Sequence, residues 1–321
     1  MARIIVTYGV PAEGFASLAP HELICPPAGE RFSREALLSL LPTADAVLAC
    51  TPFDHELIAS AKVLKLIVCY GAGTDSIDLA AATKRGIMVA NTPDCVTAST
   101  AELAISLLLG LARRLTELDH AMRTLPPSEL FVMGKRMGSS LEGATLGIVG
   151  MGRIGARVAD FGRVMGMRIC YAARTPKPVR DALGDKQLCL KALMSQADFI
   201  SLHCPQTAQT QGMISREMLA RMKPTAMLIN TARGPIVDES ALLDALRNQR
   251  IGGAALDVFA GEPQINPAFF TLDNVLLTPH VGANTIQTRR LMAEAASERI
   301  LDMLSGRIPK NLLNPSVLKK A

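Results

Sequence analysis

Short runs of consecutive apolar residues alternate along almost the whole chain with longer segments whose apolar positions recur every three or four residues. The first kind begins with RIIVTYG, AVLAC, KLIVCYG and IMVANTP. It continues with TLGIVG, RICYA, DFISLHCP, AMLINTA, GGAALDVF and NVLLTPH. Pieces such as SREALLSLL and HELIASA separate the early runs. Unbroken apolar strands are buried on both faces, which strand–helix alternation achieves by covering a parallel sheet with helices. The pattern therefore predicts an α/β protein. Its strand runs form two sets, one before residue 97 and one after residue 143, with a strongly apolar helix over about 99–115 between them. That predicts two domains with a hinge near 97–102. After the last strand run, TRRLMAEAASERILDMLSG has an amphipathic helical pattern. Chain termini often lie close together, so this helix is expected to return to the first domain. The expected division is 1–97 with 287–321, a discontinuous domain, and 98–286.

Length agrees with two domains, because 321 residues exceed the ~250–300 at which single cores stop growing. Hydrophobic residues at 49% and charged residues at 20% exclude a disordered chain. The net charge of +5 is spread without a dense basic block, which argues against a nucleic-acid partner. The seven cysteines include no C-x-x-C pair, and several sit in apolar runs such as LIVCY, as small hydrophobes in a reducing compartment. MARIIVTYGV runs straight into a strand pattern without the basic region, long apolar core and cleavage site of a secretion signal, so none is expected. The most apolar helical stretch, AELAISLLLGLARRL, is broken by Glu102, Gly110 and two arginines and is too short to span a bilayer. The expectation is a cytoplasmic protein with no membrane partner. No grouping of residues has metal-ligand spacing, so no metal is expected.

Chemistry enters with TLGIVGMGRIGARVADFGRVMGMRICYAARTP, which carries G-x-G-x-x-G as Gly150, Gly152 and Gly155. The spacing alone suits many tight turns. Its weight comes from the apolar strand before it and the helical pattern after it (Ala156, Val158, Ala159, Val164). In that setting Gly150 permits the turn, Gly152 lets the backbone approach a pyrophosphate, and Gly155 allows close helix–strand packing. The helix start at Arg153 and Ile154 offers backbone N–H groups and a positive dipole end to the phosphates. This is the pattern of a Rossmann-type, doubly wound dinucleotide-binding sheet. The second strand of such a unit usually ends in an acid that binds the adenosine ribose and repels a 2′-phosphate. Here Ala173 stands where the acid is due and Arg174 follows. Arg174 offers a planar fork of donors to a 2′-phosphate, Thr175 a hydroxyl and Lys177 a looser charge. A solvated turn also accounts for RTPKP, but the missing acid and the arginine together predict NADP(H) in preference to NAD(H).

Three more motifs follow strand runs, at the edge where open α/β sheets bind ligands. They are LINTARGPIVDESALLDAL with Arg233, AALDVFAGEP with Asp257 and Glu262, and VLLTPHVGA with His280. Here the chain resembles the D-isomer-specific 2-hydroxyacid dehydrogenase family. The match extends through GAGTDSIDL, ANTPDCVTASTAELAISLLLGLARRL and LHCPQTAQTQGMISREMLARMKPTAMLINTARGPIVDE. The resemblance implies a flavodoxin-like, discontinuous substrate domain, a homodimer, and roles for individual residues. His280 is the implied proton donor to the 2-keto oxygen, Glu262 its hydrogen-bonded partner, and Arg233 the residue that orients the keto acid. Gly71, Ala72 and Gly73 are implied to hold the substrate carboxylate by backbone N–H groups, and Asp257 to contact the nicotinamide amide. Cys204, Pro205, Thr210, Thr231, Ala232 and Gly282 are further implied cofactor positions.

Each catalytic role makes chemical sense alone. Hydride delivery to a carbonyl carbon builds negative charge on oxygen, which a nearby acid and a fixed cation stabilise. A carboxylate beside an imidazole favours its proton-donating form. His21, His55 and His120 are expected at the surface, and His203 along the adenosine side. The chain lacks the tryptophan many relatives carry in the linker before the cofactor domain. Glu262 stands where the formate-oxidising branch has glutamine, and the lysine of the phosphite-oxidising branch is absent near Ala72. The expected activity is NADPH-dependent reduction of small 2-keto acids, glyoxylate and hydroxypyruvate, to 2-hydroxy acids that are D where chiral. The alternatives are reduction of larger 2-keto acids (2-ketogluconate or an aryl pyruvate) and, from another class, an NAD(P)-sensing, corepressor-like binding protein.

Overall fold

A computed structural model describes residues 1–319, in two compact units: Met1–Val96 with the chain from Ala283 onward, and Thr97–Gly282. The sequence-based boundaries, 97/98 and 286/287, fall one and four residues later. The second difference has a local cause. Thr285 caps the helix Ile286–Leu304 by accepting the Thr288 N–H at 3.1 Å, so the residues before the helix belong with it. Residues 320 and 321 of the expected range lie outside the described residues.

The first unit is a five-stranded parallel sheet of β1 (Arg3–Val6), β2 (Glu22–Ile24), β3 (Ala46–Ala49), β4 (Leu66–Cys69) and β5 (Met88–Asn91). Its order β2-β1-β3-β4-β5 is the flavodoxin-like one. β3 and β4 are buried at every position, as their unbroken apolar runs require. One face packs on Leu37, Leu57, Ile58 and Ile87; the other packs on Phe15, Leu18 and the Ala293, Ala296 and Ile300 side of the helix Ile286–Leu304. Close approach there requires Gly14, whose Cβ would lie 2.3 Å from that of Ala293.

The second unit holds β6 (Thr145–Val149), β7 (Arg168–Ala172), β8 (Lys186–Gln187), β9 (Phe199–Leu202), β10 (Met227–Asn230), β11 (Gly253–Leu256) and β12 (Val275–Leu277). All pairings are parallel in the order β12-β11-β10-β9-β6-β7-β8. β8 escapes a hydrophobic-pattern reading because both its residues are exposed and polar. The helices Thr97–Ala112 and Arg153–Val164 cover one face, through residues such as Leu108, Leu111 and Val158. The helices Leu190–Gln196 and Glu239–Arg247 cover the other. Strand order reverses between β6 and β9, so the crevice beyond their carboxyl ends is where such a sheet binds ligands. Among the described residues no helix is long and apolar enough to cross a membrane, and no cluster of His, Cys, Asp and Glu is placed to hold a metal.

Candidate active site and cofactor groove

The turn after β6 is built for a close neighbour. Gly150 has φ +98°, and a Cβ there would lie 2.7 Å from the Cys204 nitrogen, so only glycine fits. Gly155 brings the helix Arg153–Val164 against the same turn, since its Cβ would be 2.2 Å from the Gly150 carbonyl oxygen. Gly152 is the N-cap and faces open space. Beyond this turn lies a groove of about 650 Å³. Of the predicted cofactor positions, Gly150, Gly152, Arg174, Thr175, Cys204, Pro205 and Thr210 line it together. Arg153, Ile154 and Gly155 form the helix start behind it, and Thr231, Ala232, Asp257 and Gly282 lie at or beyond the carboxyl ends of β10, β11 and β12.

The wall also includes residues that sequence reasoning missed: Leu188, Cys189 and Leu190 after β8, and Thr207, Gln209 and Met213 after β9. Their position just past strand ends was the available signal. Thr210 spends its hydroxyl within the loop, donating to the Pro205 carbonyl at 2.7 Å and accepting the Thr207 N–H at 2.8 Å. The glycine-lined turn, the open space at Gly152 and the buried hydroxyl of Thr231, unpartnered among the described residues, fit a nicotinamide dinucleotide. At the rim, Arg174 and Thr175 are exposed, and Arg174 has no hydrogen-bond or ion-pair partner among the described residues.

His203 lines this groove, but its Nε2 turns to the hydroxyl of Ser201, 2.8 Å away and itself 1% exposed. Burial pushes the imidazole down to about 3. Below pH ~6.5 an unfolded histidine takes up a proton that this folded one refuses, so His203 holds its full share of stability above that pH. The share drains away as the pH falls toward the folded value. Wild-type melting temperature is therefore expected to fall more steeply between pH 7.5 and 5 than that of His203→Gln, whose amide does not titrate. Parallel slopes in a thermal-denaturation series would remove the effect.

The catalytic candidates converge beside the ends of β10, β11 and β12. His280 Nδ1 is 2.6 Å from Glu262 Oε2, and Glu262 Oε1 accepts the Phe259 N–H at 2.8 Å. Burial works to raise the Glu262 carboxyl, but the His280 and Phe259 hydrogen bonds and the charges of His280 and Arg233 outweigh it and hold it below the usual range. The loop 259–262 lies against the Arg233 turn because Gly234 has no Cβ; one would sit 2.0 Å from the Phe259 carbonyl carbon. Arg233 is set by Asn230, which sequence reasoning missed although a polar residue ending a buried strand was a usable signal. Asn230 is 1% exposed; it accepts the Ala232 N–H and donates to the Arg233 carbonyl, both at 3.0 Å.

His280 itself has φ +53°, a left-handed conformation uncommon for a non-glycine residue. Asp257 holds it there. The Asp257 carbonyl accepts the His280 N–H at 2.8 Å, Oδ1 accepts from Thr278 Oγ1 and the Val281 N–H, and Oδ2 accepts the Gly282 N–H. Burial raises the Asp257 carboxyl despite these donors. Gly282 is engaged on its other side too, accepting from Thr100 Oγ1 at 3.3 Å. Both residues, expected to contact cofactor, thus secure the histidine loop.

In the first unit, the expected N–H cradle is the loop Gly71–Gly73. The Gly71 N–H already donates to Thr92 Oγ1 at 3.1 Å and to the Cys69 carbonyl at 3.0 Å.

A glycine-lined crevice at the switch point of a doubly wound sheet, with an imidazole–carboxylate pair on the same unit, defines the class: a nicotinamide-dependent oxidoreductase. The family model described as D-isomer specific 2-hydroxyacid dehydrogenase, NAD binding domain, matches residues 105–282, and the chain belongs to that family. It is 43% identical to the glyoxylate reductase of Thermococcus litoralis over 291 residues, covering 89% of this chain and 88% of that one. A glyoxylate reductase structure from Paecilomyes thermophila superposes with TM-score 0.86 at 30% identity, over 98% of this chain and 99% of that one. The NADPH-dependent glyoxylate/hydroxypyruvate reductase of Sinorhizobium meliloti, solved with NADP and malonate, gives TM-score 0.84 at 28% identity, over 97% and 96% of the two chains.

Proposed function

We propose that the protein reduces small 2-keto acids, glyoxylate and hydroxypyruvate foremost, with NADPH as reductant, and gives the D-hydroxy acid where the product is chiral. The observation that carries the chemistry is the 2.6 Å contact between His280 and Glu262. The bound nicotinamide supplies the hydride; Gly150, Gly152, Thr231 and the groove wall are the residues that would hold it. Glu262 takes Nδ1 and leaves Nε2, which has no partner among the described residues, as the proton donor to the oxygen where charge develops. Arg233 presents a guanidinium to the keto acid, and Ala72 and Gly73 offer N–H groups to its carboxylate. NADPH preference rests on Ala173 and Arg174 at the end of β7. A homodimer belongs to this reading. The exposed Leu115, Met122, Phe131, Met133 and Met137 offer it apolar side chains.

Steady-state kinetics with both cofactors and a panel of glyoxylate, hydroxypyruvate, 2-ketogluconate and phenylpyruvate test the reading. The expected result is turnover of the small acids with NADPH favoured. Arg174→Ala should raise the NADPH KM about 10–100-fold, as expected for a lost hydrogen bond to a charged group, and change the NADH KM far less. Equal or better efficiency with NADH overturns the cofactor assignment. Tight cofactor binding without turnover of any acid favours the sensor.

A further inference from the structure

Arg174 and Thr175 sit at the tip of a short exposed turn, yet a 2′-phosphate clamp requires a fixed direction. The turn is fixed from beneath. Tyr171, next to last in β7, is 0% exposed and packs in the apolar cluster that contains Ile148 and Val158. Phenylalanine would fill that space without a hydroxyl to bury. The hydroxyl instead reaches the turn: it accepts the Lys177 N–H at 3.3 Å and donates to Asp181 Oδ1 at 2.6 Å. The same turn is tied at its ends. Gln187 Nε2 donates to the Ala173 carbonyl at 3.2 Å, and the Lys177 carbonyl accepts the Arg180 N–H at 2.7 Å. Arg180, 8% exposed, bridges Asp160 and Asp185 at 2.7 Å each. The Arg174–Pro176 tip between these ties faces solvent.

We propose that Tyr171 is a positioning residue for the 2′-phosphate: its buried hydroxyl, joining the Lys177 amide to Asp181, fixes the turn that aims Arg174 and Thr175. The inference rests on the NADPH reading above. Discrimination between the two dinucleotides is then governed by a side chain that touches neither.

The test uses the cofactor-free protein and two probes, adenosine 2′,5′-bisphosphate and AMP, titrated by calorimetry. In Tyr171→Phe the bisphosphate is expected to bind about fivefold more weakly, the size of one net hydrogen bond, with AMP unchanged. The NADPH KM should rise by a similar factor, with kcat and the NADH KM unaltered. The loss should vanish in an Arg174→Ala background, because the hydroxyl acts only through that arginine. Asp181→Asn keeps an acceptor for the phenol and should retain binding, whereas Asp181→Leu should behave like Tyr171→Phe. Equal weakening of both probes, no weakening of either, or a full further loss in the Arg174→Ala background overturns the inference. Wild-type protein that binds the two probes equally overturns the NADPH reading as well. A discriminating wild type with an unaffected Tyr171→Phe overturns this inference alone.

Discussion

His280→Ala is expected to lower kcat about 10³-fold, within the range of a lost general acid, while the NADPH dissociation constant stays near its wild-type value. The argument is local. Reduction of a 2-keto group needs a proton at the oxygen as the hydride reaches the carbon. Among the described residues His280 is the titratable group held by a carboxylate at one ring nitrogen with its other nitrogen unpartnered. The cofactor groove lies beyond the ends of β6, β7 and β9 and draws none of its wall from His280, so binding should survive. Glu262→Gln makes the companion measurement. Its carbonyl still accepts from Nδ1 but the carboxylate charge beside the ring is gone, so the loss should be smaller than that of His280→Ala. Stopped-flow absorbance of the nicotinamide reads the chemical step, and fluorescence titration reads binding. Near-wild-type turnover by His280→Ala would remove the histidine from the reaction, and loss of NADPH binding would assign it to the groove instead.

The two parallel sheets were legible in the sequence because strands buried on both faces must be written as unbroken apolar runs, as β3, β4 and β9 are. The glycine turn was legible for a similar reason: a positive φ at Gly150 and the approach of Gly155 leave no other residue type. What escaped depends on groups brought together from separate strand ends. Asp257, which the resemblance makes a nicotinamide contact, also accepts hydrogen bonds at its carboxylate from residues 278, 281 and 282, beyond the end of β12. No local pattern announces that arrangement. Asn230 escaped because its hydrogen bonds run to backbone two and three residues ahead, which any turn residue might make. The N–H of Gly71 donates to Thr92, from the segment after β5, a pairing that no local pattern announces either. Residue types that chemistry or backbone geometry demands were readable; side chains that aim other side chains were not.

Arg233→Lys is expected to lower kcat/KM for glyoxylate about 100-fold, by the loss of a planar fork at a site that must orient a carboxylate and a carbonyl together. The substitution keeps the charge and so isolates the geometry. Asn230 clips the backbone on both sides of Arg233, and the guanidinium donates from Nη1 to the Ala232 carbonyl at 2.7 Å. That bond helps fix the plane of the fork. A lysine ammonium has no such plane. Its charge still supports the ionised Glu262 carboxylate, so the His280–Glu262 pair should keep its wild-type pH profile while KM rises and kcat falls. The kinetic split is therefore the measurement, taken across pH with saturating NADPH. A lysine variant with near-wild-type kcat/KM would show that a point charge suffices and sink the fork. An altered pH profile would mean that Arg233 acts through Glu262 and not on the substrate, because the directional donors are all that lysine fails to replace.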